Sequence, residues 1–475
     1  MTASVSLKDK VLKGGVYLTL RQLLASGFSL VSTLVIARLL GPESYGIVSA
    51  TLGIFYFLRW TSRMGLGAYL IREPDITEAD AEQVLAFYNT CGVLFCVLLW
   101  LLAPAFGWWI GRSEITYLLR LLVPAIWLDM VSNVSLSQLN RRLRFDKISL
   151  VEAVAQTANY LLAIPLVLLY ESYWGPIAGT LLQFVLLAGL SCWFYPVRWR
   201  MKWQWMTLSP ALRFGISFYC ATWLFNLRNL TIPLFVSRLA GIEAVGIANI
   251  AVRMVRQLML LRNVLKRMSM SIMAKLMDDA TATRRAISRG MAYQALLIGS
   301  ICALFASVAS WLVPTVFGPE WLPSARLVPL VGISTLIGSV FDLHSATLYA
   351  AGKIRSVILM NLGYVAILWI ASLSLIPGLG VWGYGIAEIL ATPAYLTTHR
   401  VLTQIYGSPD YQLTSWLILA SAVPALAGIW LPTWANLLLL VVSYGAVFAV
   451  NSSARNIVVE IKAVMQSRKA NPQKA

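Results

Sequence analysis

Long apolar segments alternate with short polar loops along almost the whole chain. The runs at 93–106, 161–170, 296–313 and 436–450 contain no charged residue. A helix needs about 20 apolar residues to cross a bilayer core roughly 30 Å thick. Segments of this kind predict an all-α polytopic membrane protein with about fourteen transmembrane helices. The predicted spans include the second and fourth of the first half, at about 45–70 and 114–137, and the first, second, fourth and sixth of the second half, at about 211–239, 245–265, 324–351 and 381–401.

A ten-residue pattern occurs twice and divides the chain into related halves. The frame R-L-x-G-x-E-x-x-G-I stands at 38–47 and returns at 238–247, each time after the first apolar segment of a half. Gly41 and Gly241 suit a helix end, and Pro42 suits the first turn of the next helix. The repeat therefore predicts two pseudo-symmetric six-helix bundles followed by two C-terminal helices.

The loops and the repeat together predict the domain organisation. We expect an N-terminal six-helix lobe at 1–197, a cytoplasmic linker at 198–210, a C-terminal six-helix lobe at 211–406, and helices 13 and 14 with a cytoplasmic tail at 407–475.

Composition agrees with a membrane protein and excludes other classes. Charged residues make up 12% of the chain, against about 25% in soluble domains. The net charge of +18 comes largely from basic residues in short loops, so it predicts cytoplasmic termini and the bilayer as partner rather than nucleic acid. The five cysteines lie in apolar segments and predict neither a disulfide nor a metal site. The first apolar segment lacks an A-x-A cleavage site, so we expect it to remain.

Four short motifs resemble one family of transporters. RLLGPESYG at 38–46, RRLRF at 141–145, FGPEWLP at 317–323 and LYAAGK at 348–353 occur in this order. They resemble the polysaccharide (lipid-linked oligosaccharide) flippase family of the multidrug/oligosaccharidyl-lipid/polysaccharide exporter superfamily. The resemblance covers residues 8–406, and helices 13 and 14 carry no motif of the family.

The resemblance implies the function of a flippase. Such proteins move an undecaprenyl-diphosphate-linked glycan, such as an O-antigen, capsule or exopolysaccharide repeat unit, to the periplasmic leaflet of the bacterial inner membrane. They work by alternating access around a central cavity, without ATP, and the chain has no G-x-x-x-x-G-K-[ST] phosphate loop. A polysaccharide polymerase and chain-length machinery are implied partners. No cofactor is expected beyond a coupling H⁺ or Na⁺.

Arginines inside the apolar segments are the candidate substrate ligands. A charged residue in a span costs about 2.5–3.5 kcal/mol on insertion scales, so it usually faces a cavity or a partner. Guanidinium groups bind phosphate with bidentate, charge-assisted hydrogen bonds. Arg262 is expected to reach the membrane interface instead. The predicted substrate-binding residues are Arg21, Arg59, Arg63, Arg228, Arg253 and Arg256, with Trp60 and Trp223 as candidates for stacking on sugar rings.

A few titratable residues in the spans are candidates for ion coupling. They are Asp129, Asp342, Glu388 and His344. A carboxylate could bind H⁺ or Na⁺ in the cavity, or it could neutralise a neighbouring arginine as a structural ion pair. His344 could also be an ordinary packed histidine.

The sequence leaves three alternative functions to compare with a flippase. A multidrug/cation antiporter of the same superfamily would favour acidic residues over arginines in the spans, which this chain does not show. A lipid II-type flippase would share the cationic cavity and differ in substrate. A membrane polysaccharide polymerase or ligase would need a catalytic group, often on a large outside loop, and the predicted outside loops are short. We therefore expect a transporter with no catalytic residue.

Overall fold

The structure is a computed structural model that describes residues 7–199, 203–259, 262, 273, 276 and 279–456, with most side chains from residue 27 onward. Every regular element in these residues is helical, which confirms the predicted fold class. The chain divides into two compact units, Met1–Gly246 and Ile247–Ala475. This division falls later than the predicted linker at 198–210, and the predicted lobes stay a prediction based on the internal repeat.

Unit 1 is arranged around one buried helix. Of an apolar 18-residue stretch in α4, 61% is buried, whereas the corresponding share in α5 is 17%. α4 packs against α1, α3 and α6. The helices of the unit are α1 (Leu7–Ser62), α2 (Leu66–Arg72), α3 (Glu78–Ile110), α4 (Ser113–Arg141), α5 (Phe145–Tyr170), α6 (Trp174–Phe194), α7 (Trp205–Leu227) and α8 (Ser237–Ala240).

Each copy of the repeated motif forms the predicted turn between two helices. α1 is kinked at Gly41, which has a φ of 68° and separates two helical arms. Gly241 has a φ of 90° and separates α8 from α9 (Ile242–Leu258). Glycine occupies such backbone conformations without the steric cost that other residues incur.

The two motif copies also contact each other. A Cβ atom on Gly46 would lie 2.0 Å from the carbonyl oxygen of Ile242, and one on Gly246 would lie 2.2 Å from the carbonyl oxygen of Pro42. The contact is therefore reciprocal and involves backbone on both sides. Glycine is needed at both positions because no side chain fits between the helices.

Three predicted spans are interrupted in the structure. The span at 45–70 breaks after Ser62, where Gly65 adopts a φ of 72° before α2 begins. The span at 211–239 breaks after Leu227 into a 3₁₀ turn and a π-helical turn at Thr231–Val236, which contains Pro233. Proline cannot donate the backbone hydrogen bond that a regular helix requires, which accounts for this irregularity.

The third interruption lies in unit 2, in the span predicted at 381–401. A 3₁₀ turn at Thr392–Tyr395 contains Pro393 and divides this segment into two short helices. The helices that follow α9 are α10 (Ala280–Phe317), α11 (Leu322–Ala350), α12 (Ile354–Leu379), α13 (Val381–Leu390), α14 (Leu396–Tyr406), α15 (Gln412–Ala427) and α16 (Thr433–Val450).

Burial in unit 2 distinguishes a central helix from a peripheral one. Of an apolar 18-residue stretch in the segment Pro319–Ala350, which includes α11, 83% is buried, whereas the corresponding share in α16 is 11%. α16 is as apolar as a spanning helix, so its exposed surface suits lipid. Among the described residues, eight helices are long and apolar enough to cross a membrane. The chain is a multi-pass membrane protein, and the predicted number of about fourteen spans stays a prediction.

Candidate functional site

The site in unit 1 begins with the end of α1. Arg59 lies in the last turn of α1, and Arg63 follows directly after the helix ends at Ser62. The Ser62 hydroxyl donates to the Arg59 carbonyl oxygen, and the Tyr88 hydroxyl of α3 donates to the Arg63 carbonyl oxygen. These bonds hold the backbone of both arginines where the helix ends, so their side chains approach α4 in a defined position.

Asp129 of α4 binds both arginines. Arg63 donates through Nε to Oδ2 at 2.6 Å and through Nη2 to Oδ1 at 2.6 Å, which is a bidentate arrangement. Arg59 donates through Nη1 to Oδ1 at 3.1 Å. The Asp129 side chain is fully buried, while the Arg59 and Arg63 side chains are 22% and 21% exposed. Two cations share one anion, so the cluster keeps a net positive charge.

Arg59 is further held by aromatic rings. Its guanidinium carbon lies 5.3 Å from the centre of the Tyr56 ring and 5.1 Å from that of Phe184 in α6. Such contacts are attractive because the face of an aromatic ring carries partial negative charge. The Arg59 Nε has no hydrogen-bond partner among the described residues. The sequence analysis missed Phe184, because nothing in the local pattern relates it to Arg59.

Of the two predicted tryptophans, Trp223 lies in α7 and Trp60 packs against this helix. The Trp60 ring is 4.8 Å from that of Tyr219, centre to centre. Trp223 is half-buried, and its Nε1 has no hydrogen-bond partner in the described part of the chain. Their predicted role in stacking on sugar rings stays a prediction.

The other predicted arginines differ in their exposure to solvent. Arg228 is half-buried in the 3₁₀ turn after α7, Arg253 is half-buried in α9, and Arg256 is exposed in α9. Arg21 lies in α1, but its side chain is outside the described residues. Arg120, which the sequence analysis did not single out, lies in α4 with its guanidinium 4.2 Å from the centre of the Trp100 ring.

Unit 2 contains a second arginine–aspartate pair. Arg262 donates through Nε to Oδ2 of Asp342 at 2.6 Å, with side chains 25% and 10% exposed. Asp342 of α11 binds the Arg262 guanidinium group, and the expectation that Arg262 reaches the membrane interface stays a prediction. In both halves an acid on the fourth predicted span thus binds arginine at the end of the second.

Glu388 of α13 lies in a cluster of hydroxyl groups. Its fully buried carboxyl group accepts hydrogen bonds from Tyr364 and Tyr384 at 2.8 Å and from Ser334 at 3.2 Å. Hydroxyl groups both donate and accept, so they can satisfy either the charged or the protonated carboxyl group. Within the described residues, no group of three or more His, Cys, Asp or Glu could hold a metal ion.

His344 is fully buried in α11, and its Nε2 lies 2.6 Å from the Tyr411 hydroxyl. The same hydroxyl is 2.7 Å from Nδ1 of His399 in α14. The sequence analysis named only His344. The single available signal was that the chain has two histidines, and this alone does not bring them together.

Solved structures with the same fold are membrane transporters. The lipid II flippase MurJ in an inward closed conformation superposes with a TM-score of 0.71 at 12% identity, covering 93% of this chain and 99% of MurJ. An inward-facing multidrug resistance MATE family transporter of the MOP superfamily gives a TM-score of 0.64 at 14% identity, covering 82% and 98%. The chain therefore has the fold of a MOP-type membrane transporter.

Sequence comparison defines the family within this fold. A model of the polysaccharide biosynthesis protein family matches residues 35–326, and the chain belongs to that family. The lipopolysaccharide biosynthesis protein WzxC of Escherichia coli (strain K12) is 21% identical over 445 residues, which cover 93% of this chain and 88% of WzxC. The teichuronic acid biosynthesis protein TuaB of Bacillus subtilis (strain 168) is 24% identical over 303 residues, 61% of each chain.

These findings confirm the family that the four sequence motifs predicted. They also agree with the interpretation of the chain as a transporter and not an enzyme, because one relative is named as a succinoglycan biosynthesis transport protein and the solved structures with this fold are a flippase and a multidrug transporter.

Proposed function

We propose that this protein is a flippase for a lipid-diphosphate-linked oligosaccharide in the bacterial inner membrane. It moves an undecaprenyl-diphosphate-linked repeat unit from the cytoplasmic to the periplasmic leaflet by alternating access. In this proposal both chain termini are cytoplasmic. A polysaccharide polymerase and the chain-length machinery act next on the glycan.

The observation that carries the proposal is the Arg59–Arg63–Asp129 cluster. Two guanidinium groups share one buried carboxylate, and each remains about one fifth exposed. An arginine has five N–H donors, of which Asp129 takes one from Arg59 and two from Arg63. Donors and net positive charge therefore remain for a diphosphate, which suits bidentate recognition.

In this mechanism Asp129 and the substrate compete for the same donors. Asp129 neutralises part of the arginine charge when no substrate is bound, which lowers the cost of holding two cations in the membrane. A diphosphate offers more oxygen acceptors than one carboxylate and draws Arg59 and Arg63 toward itself. When the diphosphate leaves, the bidentate bond to Asp129 re-forms and favours release.

The names of the relatives support a glycan substrate over a cationic drug. WzxC and TuaB are named for lipopolysaccharide and teichuronic acid biosynthesis. A succinoglycan biosynthesis transport protein, ExoT of Rhizobium meliloti (strain 1021), is 26% identical over 165 residues. The lipid II-type flippase remains the alternative substrate class, and a multidrug antiporter is less compatible with an arginine-rich cluster.

Coupling to an H⁺ or Na⁺ gradient completes the proposal. Glu388 is our first candidate for the coupling group, because hydroxyl groups surround its carboxyl. Asp129 and Asp342 are bound to arginines, so their titration would change the charge of the arginine clusters directly.

The test is complementation of a flippase-null strain with the Arg59→Ala/Arg63→Ala double variant. We expect loss of surface polysaccharide, because the diphosphate loses its guanidinium partners. The double variant leaves Asp129 buried without a partner, so Arg59→Gln/Arg63→Gln/Asp129→Asn, which removes all three charges, is tested beside it; this triple variant should remain in the membrane at normal level and also lose surface polysaccharide. The matched control is Arg120→Ala, which removes an arginine of the same unit that contacts Trp100 rather than Asp129.

Normal surface polysaccharide in the double variant would refute the assigned role of the two arginines. The substrate class is identified by expressing the protein in flippase-null strains that make different repeat units and in a strain that lacks only its lipid II flippase. Restoration of peptidoglycan synthesis without any surface glycan would favour the lipid II-type alternative.

A further inference from the structure

Both histidines of the chain bind the same hydroxyl group. His344 in α11 and His399 in α14 are 55 positions apart, yet Tyr411 Oη lies 2.6 Å from His344 Nε2 and 2.7 Å from His399 Nδ1. The two imidazole ring centres are 6.0 Å apart, with the hydroxyl between them. The short strap at 407–411, which joins α14 to α15, places Tyr411 in this position.

The hydroxyl bridge couples the protonation states of the two rings. A tyrosine hydroxyl carries one proton, so it can donate to only one of the two ring nitrogens and must accept from the other. Burial raises the pKa of the Tyr411 hydroxyl above its usual value, so the hydroxyl keeps its proton at neutral pH. A change at one imidazole therefore reverses the direction of both hydrogen bonds.

The two histidines differ in their access to solvent. His344 is fully buried, and its Nδ1 has no hydrogen-bond partner among the described residues. His399 is half-buried, and Arg400 beside it is exposed. A buried ring nitrogen without a partner is costly and uncommon, so its retention suggests a use.

We propose that His399, Tyr411 and His344 form a proton relay that delivers a proton from the half-exposed His399 to the buried His344. The relay exists whatever substrate the protein moves, but its use in driving transport rests on the function proposed above. It adds His399 and Tyr411 to the residues considered for ion coupling.

The transfer step conserves protons. His399, protonated on both nitrogens, donates its Nδ1 proton to the Tyr411 oxygen while the Tyr411 proton moves to His344 Nε2. Tyr411 ends as a neutral hydroxyl, His399 as a neutral imidazole with its proton on Nε2, and His344 as an imidazolium. No oxidant or other reactant is needed.

Charged groups on every element around the relay define its electrostatic setting. Asp342 on α11 is bound to Arg262, and Asp410 in the strap accepts the backbone N–H of Gln412. The other charged groups on the surrounding elements are Arg284, Arg285 and Arg289 on α10, Arg326 on α11, Arg355 on α12, Glu388 on α13 and Arg400 on α14.

The test uses the fact that the chain has only two histidines. Isotope-labelled histidine in the full-length protein in lipid nanodiscs gives NMR signals from the relay alone. We expect both imidazoles to respond together as the pH is lowered, as one coupled titration. In Tyr411→Phe the His399 signal should titrate by itself, and the His344 signal should lose its response.

Two further variants keep the test decisive. In His399→Gln the His344 response should also be lost, which tests the relay even if Tyr411→Phe does not fold. Tyr444→Phe removes the hydroxyl of another half-buried tyrosine of unit 2, which lies 2.7 Å from the Ser421 hydroxyl, and should leave the coupled titration unchanged. Independent titration of the two histidines, or a His344 response that persists in His399→Gln, would overturn the proposal.

A separate measurement addresses the use of the relay. Transport by Tyr411→Phe in proteoliposomes should no longer depend on a pH gradient. An unchanged gradient dependence would refute a role in coupling, whereas absence of transport in the unsubstituted protein would refute the proposed function and leave the NMR result intact.

Discussion

Neutralising Asp129 should strongly destabilise unit 1, and a second substitution at Arg63 should restore much of the loss. Asp129→Asn removes the anion between two guanidinium groups that are mostly buried. Removing one partner of a buried ion pair costs roughly 3–5 kcal/mol because a charge is left uncompensated. Asp129→Asn/Arg63→Gln removes one cation as well, so the double variant should be more stable than the single one.

The geometry predicts that Arg63 couples to Asp129 more strongly than Arg59 does. Arg63 makes two bonds of 2.6 Å to Asp129, whereas Arg59 makes one of 3.1 Å. Residues in direct contact couple by about 0.5–3 kcal/mol in double-mutant cycles. We expect about 2–3 kcal/mol for Arg63 with Asp129 and about 1 kcal/mol for Arg59 with Asp129, within that range.

The assay is unfolding in mixed micelles of detergent and sodium dodecyl sulfate, followed by tryptophan fluorescence. The matched control is a cycle of Asp129→Asn with Arg120→Gln. These two residues lie nine positions apart on α4, roughly 13 Å along the axis at 1.5 Å per residue, so their effects should add. A coupling below about 0.5 kcal/mol for Arg63 with Asp129, or a larger one for Arg59, would refute the argument.

Two further predictions concern the helix contact and the hydroxyl cluster. Gly46→Ala should sharply lower the yield of folded protein, because its Cβ would lie 2.0 Å from the Ile242 carbonyl oxygen. The control is Gly189→Ala, whose Cβ would have no atom within 4 Å. Equal yields of the two variants by size-exclusion chromatography would contradict the contact. Glu388→Gln should fold, since the amide can bond to the surrounding hydroxyl groups, but should lose the ion-gradient dependence of transport in proteoliposomes, while Glu388→Asp should retain it. Gradient-driven transport by the Gln variant equal to that of the unsubstituted protein would exclude Glu388 as the coupling group.

The sequence motifs predicted the family and the turns of the repeat, because both depend on local residue types. Gly41 and Gly241 adopt the positive φ values that their position after an apolar segment suggested. The breaks within spans were harder to predict. Pro233 and Pro393 lie at two of them, but the π-helical turn and the close approach of Gly65 to Gly215 depend on packing between helices.

The partners of the charged residues could not be predicted from the sequence. Arg63 and Asp129 are 66 positions apart, and Arg262 and Asp342 are 80 apart. The cost of charge in a membrane predicted that these groups would have partners, and left open whether the partner would be a cavity or an acid. The same limit applied to His344, because three helices, α12 to α14, separate it in sequence from Tyr411, its hydroxyl partner.

The amino-acid sequence by itself determined that this is a helical membrane protein with a repeated turn, because the transfer of apolar residues into lipid and the backbone freedom of glycine are local properties. Tertiary structure alone decided that Arg59 and Arg63 share Asp129 and that both histidines share Tyr411. Those contacts depend on which helix faces pack together, and the residues on a lipid-facing and a protein-facing surface are equally apolar in sequence.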